Sequence, residues 1–153
     1  MDDYKKVYSK QNLVRAWKWI NSNPSAQYKN YFRDSYTAYA ISVEENIGDL
    51  YNRLKNNKYI PNKPSKVLLP KTICTTRLYT LLTIEDQIVY QAFINVIAEN
   101  YSQKAKHRYN KTVFGNLYSG KRSIWFYRKW DLVYANFNRA LKSTYNNGYE
   151  YIA

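Results

Sequence analysis

Residues 83–101, TIEDQIVYQAFINVIAENY, constrain the fold more than any other stretch of the chain. Thr83 with Asp86 three residues later forms a capping-box pattern, and Glu85 and Asp86 fall in the first turn, where the helix dipole favours negative charge. Behind that start, Ile84, Ile88, Ala92 and Val96, with Val89, Phe93 and Ile97 beside them, recur at helical spacing and predict a strongly apolar helix over 84–101. The segment before it is bounded just as sharply. The two prolines of YIPNKPSK bar helix over 59–66. KVLLP and RLYTLLT are therefore expected as short strands joined by KTICTT, a basic hairpin with Lys71 at its tip and Arg77 opening its second strand.

The rest of the chain reads as helices around that hairpin. Val7, Leu13, Val14, Trp17 and Ile20 gather on one face of a helix over 4–21, which NSNPS ends. A longer helix over 26–57 carries Tyr28, Phe32, Tyr36, Tyr39, Val43, Ile47, Leu50 and Leu54, with Gly48 weakening it by about 1 kcal/mol relative to alanine. Residues 102–123 are irregular, with a short strand at 112–114. Trp125, Trp130, Val133, Tyr134, Phe137 and Leu141 predict a last helix over 124–143, and NNGYEYIA a turn and the start of a strand. At 153 residues one compact core is expected, with no linker long enough to separate two domains.

Charge narrows the partners. The formal net charge is +13, and it is segregated. Residues 1–50 nearly balance, seven lysines and arginines against six acids. Residues 53–77 hold seven bases and no acid, and residues 102–145 hold ten bases against Asp131 alone. Concentrated like charge repels itself unless a polyanion answers it, so RNA or DNA is the expected partner rather than a membrane surface. Lys104, Lys106, Arg108, Lys111, Lys121, Arg122 and Arg128 are the candidate nucleic-acid contacts, interleaved with Tyr109, Phe114, Tyr118, Trp125 and Tyr127, which can stack on unpaired bases. Eighteen tyrosines enlarge that stacking supply, although Lys, Asn and Tyr also rise together in AT-rich genomes. No apolar run approaches a spanning helix and the start MDDYKKVYSK lacks a signal-peptide core, so a cytoplasmic protein is expected.

The common catalytic sets are missing from the sequence. There is no Gly-rich phosphate loop and no paired-cysteine metal site; Cys74 and His107 are single residues of their kinds. Neither a catalytic residue nor a metal ligand is assigned. Lys71 and Arg77 are the exception as a binding pair: a lysine at a hairpin tip and an arginine on the next strand can close on one polyphosphate, one as a mobile point charge and the other as a bidentate fork.

The same stretch resembles the fingers of reverse transcriptases, RNA-directed DNA polymerases, most closely the group II intron, retron and defence-associated (abortive-infection type) members. Pro70, Lys71, Arg77, Thr83, Asp86, Gln91 and Ala92 occupy the family's positions without a gap, and FGNLYSGKRS is similar to the next family block, where Gly115 and its successors lie near the template. The resemblance covers about residues 50–153 and implies an α+β fingers subdomain of a right-hand polymerase, mainly helical with one antiparallel hairpin. Residues 1–49 would be a helical N-terminal extension. It implies that Lys71 and Arg77 bind the triphosphate of an incoming deoxynucleotide, that RNA or DNA template and primer are partners, and that phage defence is the setting. It also implies Mg²⁺ in the parent enzyme, held by palm aspartates expected beyond Ala153, so that the chain alone would bind without catalysing.

Two positions depart from the pattern. Cys74 stands where the family has glycine, so the turn is expected to avoid positive φ or to be looser. Gln87 replaces a common arginine, which touches a structural ion pair more than any chemistry. The alternative reading is a small non-catalytic nucleic-acid-binding protein in which PKTICTTR is a plain phosphate-contacting hairpin.

Overall fold

The structure is a computed structural model that describes residues 2–22, 27–72 and 74–149. The described chain is mainly helical with one antiparallel hairpin. Helices α1 (Asp2–Val7), α2 (Lys10–Asn21), α3 (Arg33–Ile41) and α4 (Val43–Lys55) precede strands β1 (Ser65–Thr72) and β2 (Thr75–Leu81), and α5 (Ile84–Ala105) and α6 (Trp130–Asn146) follow. Short 3₁₀ helices cover Gln27–Phe32 and Lys106–Arg108. The chain divides into two compact units, Met1–Val96 and Ile97–Ala153, with the boundary inside α5.

The first unit holds the main buried cluster. Ile84, Ile88, Val89, Ala92 and Val96 of α5 pack with Leu13, Ala16 and Trp17 of α2 and Ile47, Leu50 and Leu54 of α4. Burying each such aliphatic side chain contributes about 1.5–3 kcal/mol. Phe93 and Ile97, expected on the same stripe, are exposed. The core therefore takes one stripe of α5 and leaves the flanking apolar positions outside it.

Two expected helices are broken, each at a serine. Ser9 leaves the helical region and its hydroxyl accepts from the Asn12 N–H at 3.4 Å, so α2 restarts there instead of continuing α1. Ser42, at φ −120° and ψ 38°, separates α3 from α4, and Glu44 and Glu45 then lie in the first turn of α4. Hydrophobic periodicity ran through both breaks and concealed them. Tyr28 has no described side chain, and most of the NSNPS stop lies outside the described residues. α4 ends with Asn57 at φ 54°, its N–H donating to Leu54 O at 3.2 Å while Lys58 N–H reaches Arg53 O at 2.8 Å. That is a Schellman closure with asparagine in the left-handed position.

The second unit is more open. Tyr109 and Val113, and Tyr118 and Tyr127, form isolated bridges, and the Arg128 N–H donates to Leu117 O at 2.8 Å. Those bonds hold residues 124–129 out of helix, so α6 starts at Trp130 and Trp125 is not on it. Ala105, Leu117 and Val133 are its buried apolar residues among those described. The expected C-terminal strand falls on residues 150–153, outside the described residues.

Candidate nucleotide-binding hairpin and basic surface

The paired strands run closer to the turn than the sequence suggests, β1 reaching Thr72 and β2 starting at Thr75 where 66–70 and 77–83 are expected. β1 and β2 pair from Ser65↔Leu81 through Leu69↔Arg77 and Pro70↔Thr76 to Thr72↔Thr75. Between Pro70 and Thr72 the register shifts, so Lys71 is the extra residue of a bulge. Lys71 thus sits on β1 rather than at the tip. Its side chain is outside those described. The backbone still places it close to the Leu69↔Arg77 pair. Cys74 adopts φ 68°, so the turn takes the positive φ that a glycine would provide, and of the two expected alternatives the avoidance of positive φ does not hold.

Side-chain alternation sets the two faces of the ladder. Leu69, 2% exposed, shares a face with Arg77, half-buried Val67 and half-buried Tyr79. The opposite face carries the cross-strand pair Leu68 and Leu78, 63% and 56% exposed. Arg77 is exposed and makes no ion pair or side-chain hydrogen bond among the described residues. An unengaged guanidinium on the buried-leucine side of a rigid ladder is available to an anion.

The positions that follow Arg77 brace the hairpin against α5. The Thr83 hydroxyl donates to Asp86 Oδ2 at 2.6 Å and accepts from the Asp86 N–H at 3.3 Å, which realises the expected cap. Asp86 also accepts from the Tyr59 hydroxyl and from the backbone and side-chain N–H groups of Asn62. Burial pushes the Asp86 pKa up, but the hydrogen bonds from Thr83, Tyr59 and Asn62 outweigh it and hold the carboxyl below its ordinary range. The same bond and burial push the Tyr59 hydroxyl pKa upward, burial more strongly. Asp86 therefore ties the Pro-rich segment feeding β1 to the start of α5. Beside it, Gln87 accepts from the Tyr36 hydroxyl at 2.5 Å and donates to Leu82 O at 2.9 Å, a neutral bridge where an arginine would seek a carboxylate. Arg53 pairs with Glu85 at 2.5 Å and with Asp49 at 2.7 Å, and hydrogen bonding to Glu85 raises its pKa most.

Gln91 and Ala92 open a buried polar chain. Gln91 Nε2 donates to Asn95 Oδ1 at 2.8 Å, and Asn95 Nδ2 donates to Asn12 Oδ1 at 2.8 Å. Asn12 Nδ2 in turn reaches Ala92 O at 2.9 Å and Val7 O at 3.0 Å. Asn95 is fully buried. This network locks α1 and α2 onto α5, and sequence reasoning missed it, because an asparagine in a helical stripe carries no signal of its partner.

The basic candidates all lie in the second unit. Lys104, Lys106, Arg108, Lys111, Lys121, Arg122 and Arg128 are exposed. Lys121 is engaged by Glu99 at 2.7 Å, and the Arg128 guanidinium lies 5.8 Å from the Tyr109 ring centre. His107 is exposed in the 3₁₀ turn. Among the described residues no three His, Cys, Asp or Glu side chains gather to hold a metal ion. No helix among them is long and apolar enough to cross a membrane. Comparison with protein-family models, curated proteins and solved structures finds no match to the chain.

Proposed function

We propose that the chain is the fingers region of a reverse-transcriptase-like polymerase of the defence-associated kind. Arg77 and Lys71 would take the triphosphate of an incoming deoxynucleotide, and the basic second unit would take RNA or DNA template. One observation carries the reading. Thr83 and Asp86, two of the positions that match the family at fixed spacing, tie the segment feeding β1 to the start of α5, while Arg77 is exposed and without an ion pair or side-chain hydrogen bond among the described residues. A braced ladder presenting an idle guanidinium is suited to gripping phosphate oxygens bidentately. The catalytic carboxylates of such a polymerase would come from its palm, so this chain contributes binding and positioning.

The test is nucleotide binding by the full chain. Titration with a deoxynucleoside triphosphate should give saturable binding that Arg77→Ala or Lys71→Ala weakens by about 10- to 100-fold, the loss of one charge-assisted contact of about 1.5–3 kcal/mol. Affinity for a single-stranded 20-mer should change less than about twofold, since template contacts are assigned elsewhere. Loss of strand affinity instead of triphosphate affinity would mark the hairpin as a plain phosphate contact of a non-catalytic nucleic-acid-binding protein.

A further inference from the structure

The second unit contains a cleft of about 710 Å³ within the size range of ligand sites, lined by Phe114, Tyr127, Arg128, Trp130, Tyr134 and Phe137 among others. Trp130 and Tyr134, one helical turn apart on α6, stack face to face with ring centres 5.0 Å apart and planes within 10°. Phe137 follows at 6.2 Å from Tyr134, and Phe114 closes edge-on against Phe137 at 5.6 Å. Yet the rings are not buried: Trp130 is 74% exposed, and Tyr127, Tyr134 and Phe137 are also exposed. A row of flat rings left open to water offers π-faces to an incoming planar group.

Charge selects that group. The second unit holds ten lysines and arginines against three acids. Arg128 is itself part of the cleft wall and exposed, with Lys129 next to it at the start of α6. An aliphatic or cationic partner would gain from the rings but not from the cations. A planar, anion-bearing chain gains from both.

We propose that this cleft holds one unpaired base of a single-stranded nucleic acid, stacked on the Trp130–Tyr134 pair with its flanking phosphates on Arg128 and the neighbouring exposed cations. The proposal rests on the reading that the second unit carries template. It adds where a base is held, and it predicts preference for unpaired strands, since bases in a duplex hide their faces from the rings.

The experiment uses the full chain and fluorescein-labelled dT and rU 20-mers, read by anisotropy across a salt series. Wild type should bind both, with a log-log salt slope near −3.5 for roughly five phosphates engaged. Trp130→Ala with Tyr134→Ala should weaken binding about tenfold or more without changing the slope, and the Trp130→Phe, Tyr134→Phe pair should recover most of the loss. Arg128→Gln should weaken binding and reduce the slope by about 0.7. A strand carrying 2-aminopurine should show its fluorescence quenched on binding to wild type, which reads stacking even where the alanine pair folds poorly. Salt-dependent binding with no quenching and less than twofold loss in the alanine pair overturns the base slot and leaves the template reading standing. Absence of salt-dependent binding removes both. Wild-type dimers that the alanine pair converts to monomers, at unchanged strand affinity, would assign the rings to a second copy of the chain and overturn the proposal.

Discussion

Replacing Asp86 with asparagine keeps the side chain's shape and removes the charge around which the hairpin base is assembled. Asp86 is 6% exposed, and its carboxylate is surrounded by donors: the Tyr59 and Thr83 hydroxyls and the backbone and side-chain N–H groups of Asn62. An amide NH₂ at either oxygen position would face a donor of Asn62. The hydroxyls can rotate to accept, whereas the Asn62 N–H groups cannot. Hydrogen bonds to a charged group contribute about 1.5–3 kcal/mol each against about 1 kcal/mol for neutral ones, so losing the charge on several partly offset bonds should cost about 2–3 kcal/mol. For a cooperative unit the size of Met1–Val96 this is a fall in Tm of about 10–20 °C. The pH dependence follows from the lowered carboxyl pKa. Its stabilisation is fully present above the unfolded value of about 3.8 and fades as pH falls through the lower folded value. Melts of wild type and Asp86→Asn followed by circular dichroism should differ most near neutral pH and converge below about pH 4. A variant melting within about 2 °C of wild type at neutral pH, or a gap that persists unchanged into acid, would refute the reasoning.

Other positions give independent checks. Cys74→Gly should stabilise the hairpin by up to about 1 kcal/mol, because it relieves a left-handed residue at φ 68°, while Cys74→Val should destabilise by about 1–2 kcal/mol; equal urea midpoints for the three would contradict the turn geometry. Asn95→Ala should cost about 2–4 kcal/mol by leaving Asn12 and Gln91 without their shared partner, with Gln91→Ala costing clearly less because Gln91 is only half-buried; urea unfolding would show the order, and its reversal would place the network elsewhere.

The sequence by itself determined the elements whose cause is local. Thr83 and Asp86 start α5 by satisfying each other within one turn, and the prolines at 61 and 64 exclude helix whatever surrounds them. The two short β-prone runs follow the prolines directly, and antiparallel pairing needs only a tight turn, so the hairpin was legible too. The charge segregation and the exposure of the basic residues after Ser102 were likewise carried by composition.

Only the tertiary structure decided what depends on distant partners. Whether α1 runs into α2, or α3 into α4, turns on how the chain must bend to bury Leu13, Trp17, Ile47 and Leu50 together, and periodicity is blind to that bend. The bulge moved Lys71 from the tip onto β1, since one extra residue in a ladder leaves no mark on hydrophobic pattern. The pairing of Tyr118 with Tyr127 kept residues 124–129 from joining α6. Asn12 and Asn95, 83 residues apart, meet because a buried amide must find an acceptor and a donor, and only the packed chain brings them within reach.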